Sequence, residues 1–171
     1  QAHDAQVPVG LVIRTEPTAG TRVFKQSEVT VFISLGPKQV LVPESLGLDL
    51  EQATKLLEST GLVAGSVSSF YALAEAGQVL AFSKPTGTSL AEGSVVDLSV
   101  SLGPLPDVVG QDFSQAIQTL EALGLTVTSL EVFNDDVSAG RVVSITASSD
   151  PLPESGSLTL NVSKGPEFIS L

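Results

Sequence analysis

The chain repeats itself, and that constrains its fold more than any other feature. Sliding the sequence by 63 residues places Pro43 on Pro106, Gly47 on Gly110, Asp49 on Asp112, Gln52 on Gln115 and Ala53 on Ala116. The same offset places Leu57 on Leu120, Glu58 on Glu121, Gly61 on Gly124, Gly77 on Gly140 and Gly93 on Gly156. Matches in this order mean duplication, so the fold must be a series of small units. A unit of roughly 60 residues buries only about 60% of its unfolded surface, so each core is modest.

Each unit is closed by an alternating strand and a Gly-Pro marker. Val29–Ile33 precedes Leu35-Gly36-Pro37, Val96–Val100 precedes Leu102-Gly103-Pro104, and Leu158–Val162 precedes Lys164-Gly165-Pro166. Apolar and mainly polar residues alternate along each strand, the pattern of a half-buried strand. The spacing between the markers predicts a helix. Asp49 and Asp112 are N-caps with Gln52 and Gln115 three residues on, a capping-box spacing. Leu50, Ala53 and Leu57, and Phe113, Ala116, Ile117 and Leu120, then mark one helical face. Gly61 and Gly124 follow as C-caps. A first strand is predicted around 62–70 and 125–133, and a second at Val79–Phe82 and Val142–Ile145. The fold class is therefore α+β, each unit one helix packed on a three-stranded antiparallel sheet.

The resulting boundaries are a partial unit at 1–36 holding the strand half only, full units at 37–103 and 104–165, and a tail at 166–171. The short proline-containing linkers at 36–43 and 103–106 predict a stiff, elongated rod. Since 1–36 lacks its helix half and the chain has no Met, we expect a segment of a longer protein. No apolar run approaches the roughly 18 residues of a transmembrane helix, so any anchor is expected outside this segment.

Charge narrows the partners. Eight Lys and Arg face 19 Asp and Glu, a net charge of −11. Nucleic acid is excluded as a main partner because phosphate binding needs a cationic surface, and anionic membranes are disfavoured for the same reason. The charge is also graded. Residues 1–36 hold three cations and three acids, 37–103 three lysines and seven acids, and 104–171 two cations and nine acids. Net charge thus runs from zero through −4 to −7 along the chain.

The residues carry a family resemblance. Leu105–Gly110, Phe113–Ile117, Leu123–Leu125, Phe133–Val137, Gly140–Val142 and Ser157–Gly165 resemble a PASTA repeat. So do Val42-Pro43, Gly47, Ala53, Leu57, Gly61-Leu62, Gly77–Val79 and Gly93–Val95 in the preceding unit. The resemblance implies a cell-surface binding module of a bacterial single-pass membrane serine/threonine kinase that senses peptidoglycan fragments and regulates wall synthesis and division. It implies β-lactams as a second ligand class and ligand-induced self-association. Alternatives are a spacer that binds nothing and the C-terminal region of a penicillin-binding protein; uninterrupted tandem units resemble the kinase arrangement more. Two loops depart from the family pattern. Ser69–Ala74 replaces the acidic turn found at Asn134–Asp136, and Ser148–Pro153 replaces a shorter Pro-x-x-Gly turn.

No catalytic constellation is present. There is no Ser-x-x-Lys, and Lys84-Pro-Thr-Gly87 is a Lys-Thr-Gly triplet broken by proline. No kinase or nucleotide-binding string occurs. His3 stands alone. With no Cys, thiol and disulfide chemistry is excluded. The fragment is read as non-enzymatic, with no cofactor and no metal. The ligand-binding candidates are Arg141, Lys84, Phe133, Asp135, Asp136 and Tyr71. Arg141 and Lys84 are cations for stem-peptide carboxylates, Arg offering a bidentate fork. Asp135 and Asp136 with Asn134 are either a cation site or a solvated turn. Phe70-Tyr71 and Phe133 are either a stacking platform or packing residues. Asn161-Val-Ser163 matches a glycosylation acceptor but falls on a predicted strand.

Overall fold

The computed structural model describes residues 1–45 and 47–167. In chain order the elements are β1 (Val12–Glu16), β2 (Thr30–Ile33), β3 (Gln39–Leu41), α1 (Leu50–Ser59), β4 (Val63–Tyr71), β5 (Val79–Phe82), β6 (Ser89–Ala91), β7 (Val95–Ser101), α2 (Phe113–Glu121), β8 (Thr126–Val132), β9 (Val142–Ala147), β10 (Leu152–Pro153) and β11 (Ser157–Ser163). They fall into two compact units, Gln1–Glu44 with Thr54–Gly65 and Lys84–Val96, and Ser45–Ala53 with Ser66–Ser83 and Asp97–Leu171. Of the predicted tail at 166–171, residues 168–171 lie outside the described residues.

In the first compact unit β1 and β2 form an antiparallel pair with Thr15 opposite Val31, and Ala2 bridges Ser34 in parallel. The Arg14 guanidinium lies 4.1 Å above the Phe32 ring. β3 pairs antiparallel with β6, and Lys38 Nζ meets Glu92 Oε1 at 2.8 Å beside that pair. Both partners are exposed, so the ion pair contributes at most about 1 kcal/mol. No helix lies within 1–36.

The helix ends follow from their caps. Asp49 Oδ1 accepts the Gln52 N–H at 2.7 Å and Gln52 Oε1 accepts the Asp49 N–H at 3.3 Å, closing the capping box. Asp112 instead accepts the Ser114 N–H, one residue short of the box spacing. Both C-termini adopt one hydrogen-bond pattern. The N–H of Leu62 donates to Leu57 and that of Gly61 to Glu58; the N–H of Leu125 donates to Leu120 and that of Gly124 to Glu121. This double bond needs a left-handed residue, and Gly61 and Gly124 supply it at φ of +84° and +82°.

The sheet corrects the antiparallel expectation. Its order in the last repeat is β8-β11-β9, with β11 antiparallel to β9 but parallel to β8 over seven residue pairs from Ser157–Thr126 to Ser163–Val132. Strand direction explains this. β8 and β9 run oppositely, and β11 enters between them, so it must be parallel to one of the two. The corresponding sheet of the preceding repeat, ordered β10-β4-β7-β5, has four strands because β10 adds at its edge, with Leu152 opposite Tyr71 and Pro153 opposite Phe70. Pro153 has no N–H to give a ladder, so an edge is where it fits.

The core of the last repeat joins Ala116 and Leu120 of α2 to Leu158, Leu160 and Val162 of β11, with Val108, Leu125, Val142 and Leu152 completing the cluster. Tyr71, Leu105 and Ile145 pack against its margin.

Candidate functional site

A serine at the end of the last strand recurs in all three repeats and holds a loop in each. Ser34, Ser101 and Ser163 are buried, each two residues before a left-handed glycine. The Ser34, Ser101 and Ser163 hydroxyls donate to the carbonyls of Val7, Ala74 and Val137 and accept the N–H of Gly36, Gly103 and Gly165. A buried hydroxyl left unpaired would cost about 1–3 kcal/mol, so both bonds are used. The serine therefore clamps the loop that begins after the first strand to the turn that ends the last strand.

Inside that clamp the loops differ. In the last repeat Asn134 Oδ1 accepts the N–H groups of Asp136 and Val137 at 3.0 and 2.7 Å. In the first, Asp4 Oδ1 accepts those of Gln6 and Val7, both at 2.8 Å. These donors hold the Asp4 carboxyl below its ordinary value. The middle repeat has Ala72 at the corresponding place, fixed by the same backbone bond to the Gly-Pro marker: the N–H groups of Asp4, Ala72 and Asn134 donate to Gly36, Gly103 and Gly165. Without a side-chain acceptor, the middle loop presents apolar residues, and Leu73 is 98% exposed.

That loop forms one wall of a cleft of about 660 Å³ within the second compact unit. Tyr71 and Leu73, Leu105, and Ile145, Asp150 and Leu152 are among the residues that line it. The volume falls within the range of small-ligand sites. Both loops that depart from the repeat pattern, 69–74 and 148–153, contribute to it. The pairing of β10 with β4 holds them together. Further bonds fix this end: the Glu154 N–H donates to Ser69 O, and Tyr71 Oη donates to Leu123 O at 3.3 Å.

Among the six sequence candidates only Tyr71 lines this cleft. Arg141 lies elsewhere, donating from Nη1 to Gly110 O at 2.7 Å while its backbone bridges Asp112. It braces the entry to α2, which competes with the ligand role expected for it. Lys84 belongs to the first compact unit and is exposed. Phe133 lies 5.1 Å beneath Lys164 Nζ, which also reaches Glu131 at 3.5 Å, so its ring face is partly occupied. Asp135 and Asp136 are exposed on the turn held by Asn134. Among the described residues no group of three or more His, Cys, Asp or Glu could hold a metal ion. The Asn161 amide is engaged on its strand by Ser144 Oγ at 2.8 Å. His3 Nδ1 sits 3.2 Å from Gly36 O.

Leu73, Ile145, Asp150 and Leu152 were not anticipated as site residues. The available signal was positional: both loops where the units stop resembling each other contribute to one cleft.

A helix packed on a small sheet, repeated along the chain and closed each time by a serine and a left-handed glycine, defines the class of domain. The PASTA domain family model matches residues 40–102 and 104–164. The chain belongs to the PASTA domain family. It is 31% identical to the serine/threonine-protein kinase PknB of Mycobacterium tuberculosis over 178 residues, covering 99% of this chain and 28% of that protein. It is 30% identical to a protein named as the probable serine/threonine-protein kinase PknB of Corynebacterium glutamicum, covering 94% of this chain and 26% of that one. The chain thus spans about a quarter of the length of these curated relatives. A crystal structure of the entire extracellular region of the Ser/Thr kinase PrkC from Staphylococcus aureus superposes with a TM-score of 0.53 at 30% identity, covering 99% of this chain and 62% of that one. The matched region is a PASTA region and not a kinase catalytic domain. No helix among the described residues is long and apolar enough to cross a membrane.

Proposed function

We propose that this chain is part of the extracytoplasmic region of a membrane-anchored bacterial serine/threonine kinase, where it binds peptidoglycan fragments and relays their presence to wall synthesis and division. The observation that carries this reading is the alignment of almost the whole chain with the extracellular region of PrkC, at 30% identity. We divide it into a partial unit at 1–36 and full units at 37–103 and 104–165. Binding at each unit is weak and becomes effective through several units on one chain, because linked sites raise effective concentration. Capture of wall material on neighbouring chains would bring kinase domains together.

Titration of the isotope-labelled chain with soluble muropeptides, followed by amide shifts, tests this directly. Saturable shifts at millimolar ligand or below are the expected outcome. Silence at that concentration, together with full signalling by a kinase whose repeats are replaced by an unrelated segment of equal length, would reduce the repeats to a spacer.

A further inference from the structure

We infer that the tip of the first repeat in one copy of this chain adds as a short strand to the open edge of β8 in another copy. The contact needs no wall ligand and stands apart from the reading above. It repeats a contact that the chain already makes within itself. All three repeats close their tip with one turn: the N–H groups of Ser27, Ser94 and Gly156 donate to the carbonyls of Phe24, Ala91 and Pro153. The residues that enter each turn are therefore equivalent, Val23-Phe24, Leu90-Ala91 and Leu152-Pro153. The second pair lies in β6, held by β3, and the third is β10, held by β4. The first has no strand partner among the described residues, and Phe24 is 91% exposed.

Backbone bonds identify the receiving edge in the same way. The N–H groups of Leu102 and Lys164 donate to Phe70 and Val132, and those of Ala72 and Asn134 to Gly103 and Gly165. Val132-Phe133 thus stands where Phe70-Tyr71 stands, the pair on which β10 sits. In the last repeat that edge is open, because β8 is the end strand of β8-β11-β9, and Phe133 is 54% exposed. A strand edge with unpaired N–H and C=O groups is a template for a further strand. In the register of β10, Val23 falls opposite Phe133 and Phe24 opposite Val132, each an aromatic facing a β-branched residue. Charge favours the same match. Residues 17–27 carry Arg22 and Lys25 and no acid. Both cations are exposed, and neither makes an ion pair with a described residue. The receiving edge is followed directly by Asp135 and Asp136, exposed and likewise without a cation. Two copies at −11 each repel, but at a screening length of about 8 Å the charges at the contact outweigh the distant acids.

Sedimentation of the 171-residue chain without ligand, at rising concentration up to millimolar, tests the contact. The expected result is a mass above that of the monomer, lowered by added salt. Amide shifts that grow with concentration are expected at Val23, Phe24, Val132 and Phe133. Two double variants isolate the two sides. Arg22→Glu with Lys25→Glu sets an acidic tip against an acidic edge, and Asp135→Lys with Asp136→Lys sets a basic edge against a basic tip. Each variant alone should associate about two- to five-fold more weakly per reversed charge, and mixing the two should restore association. All four side chains are exposed, and an unchanged amide spectrum away from the tip and edge would verify folding. A monomer at every concentration overturns the proposal. So does association that survives both reversals, or one that yields only to Val31→Ser on the exposed apolar side of β2. Each of these outcomes leaves the wall-binding reading to its own titration.

Discussion

The strand before each Gly-Pro marker has the same alternation in the first and last repeats, yet its apolar side has opposite fates. Leu158, Leu160 and Val162 are 2%, 0% and 7% exposed, whereas Val29, Val31 and Ile33 are 50%, 46% and 37% exposed. Both strands are paired, both end on a buried serine, and both turn at a left-handed glycine. What 1–36 lacks is a helix. The ladder and its closing turn are present in both, and the apolar side is buried in the repeat whose helix joins the core.

The largest test of that separation is truncation in the two settings. Leu120→Ala removes a fully buried side chain from the α2 face and should cost about 2–5 kcal/mol, read by urea unfolding. Ile33→Ala should cost no more than about 0.5 kcal/mol, as surface substitutions do. Comparable losses at the two positions would break the comparison. Ser163→Ala comes next. It strands the Val137 carbonyl and the Gly165 N–H and should cost about 1–3 kcal/mol, with faster amide exchange at Gly165. If the serine acts without the helix, Ser34→Ala should speed exchange at Gly36 equally.

How much of this was legible can be judged from particular residues. The offset of 63 residues, the Asp caps and Gly61 and Gly124 located the helices, and alternation located the strands. The direction of β11 was not legible, since alternation fixes which side a residue faces and says nothing about whether its neighbour runs parallel. The serine clamp was present as Ser-x-Gly-Pro in all three repeats, but a serine near a glycine reads as an ordinary turn until its burial is known. The cleft was hardest to see. It combines residues 71–73, 104–105 and 145–152, and no periodicity relates them. The bond from Arg141 to Gly110 O was not legible either, because nothing in the spacing of the two residues announces it.

Two smaller predictions sharpen the loop comparison. Ala72→Asn should let the middle loop form the side-chain turn of Asn134, gaining about 0.5–1 kcal/mol and slowing exchange at the amides that follow. The last prediction concerns pH. Asp4 and Asn134 hold the same turn, but only Asp4 titrates. Its carboxyl is held below the usual 3.8, so its contribution is present above that value and fades as pH falls through the lowered one. The amides of Gln6 and Val7 should shift in that acid range, and the shift should vanish in Asp4→Asn, which keeps an uncharged acceptor like that of Asn134.

The placement of β11 also sets an order of assembly. It is the middle strand of its sheet and the last of the repeat to be made, and it pairs with β8 some 31 residues behind it, as Thr128 does with Thr159. Until Ser163 is available, β8 and β9 are two strands with a gap between them, and the hydroxyl that locks the loop is missing. A repeat made from its N-terminus therefore lacks the centre of its sheet until its final strand is present. Loss of the last few residues of a repeat would remove both the middle strand's end and the serine that holds the loop.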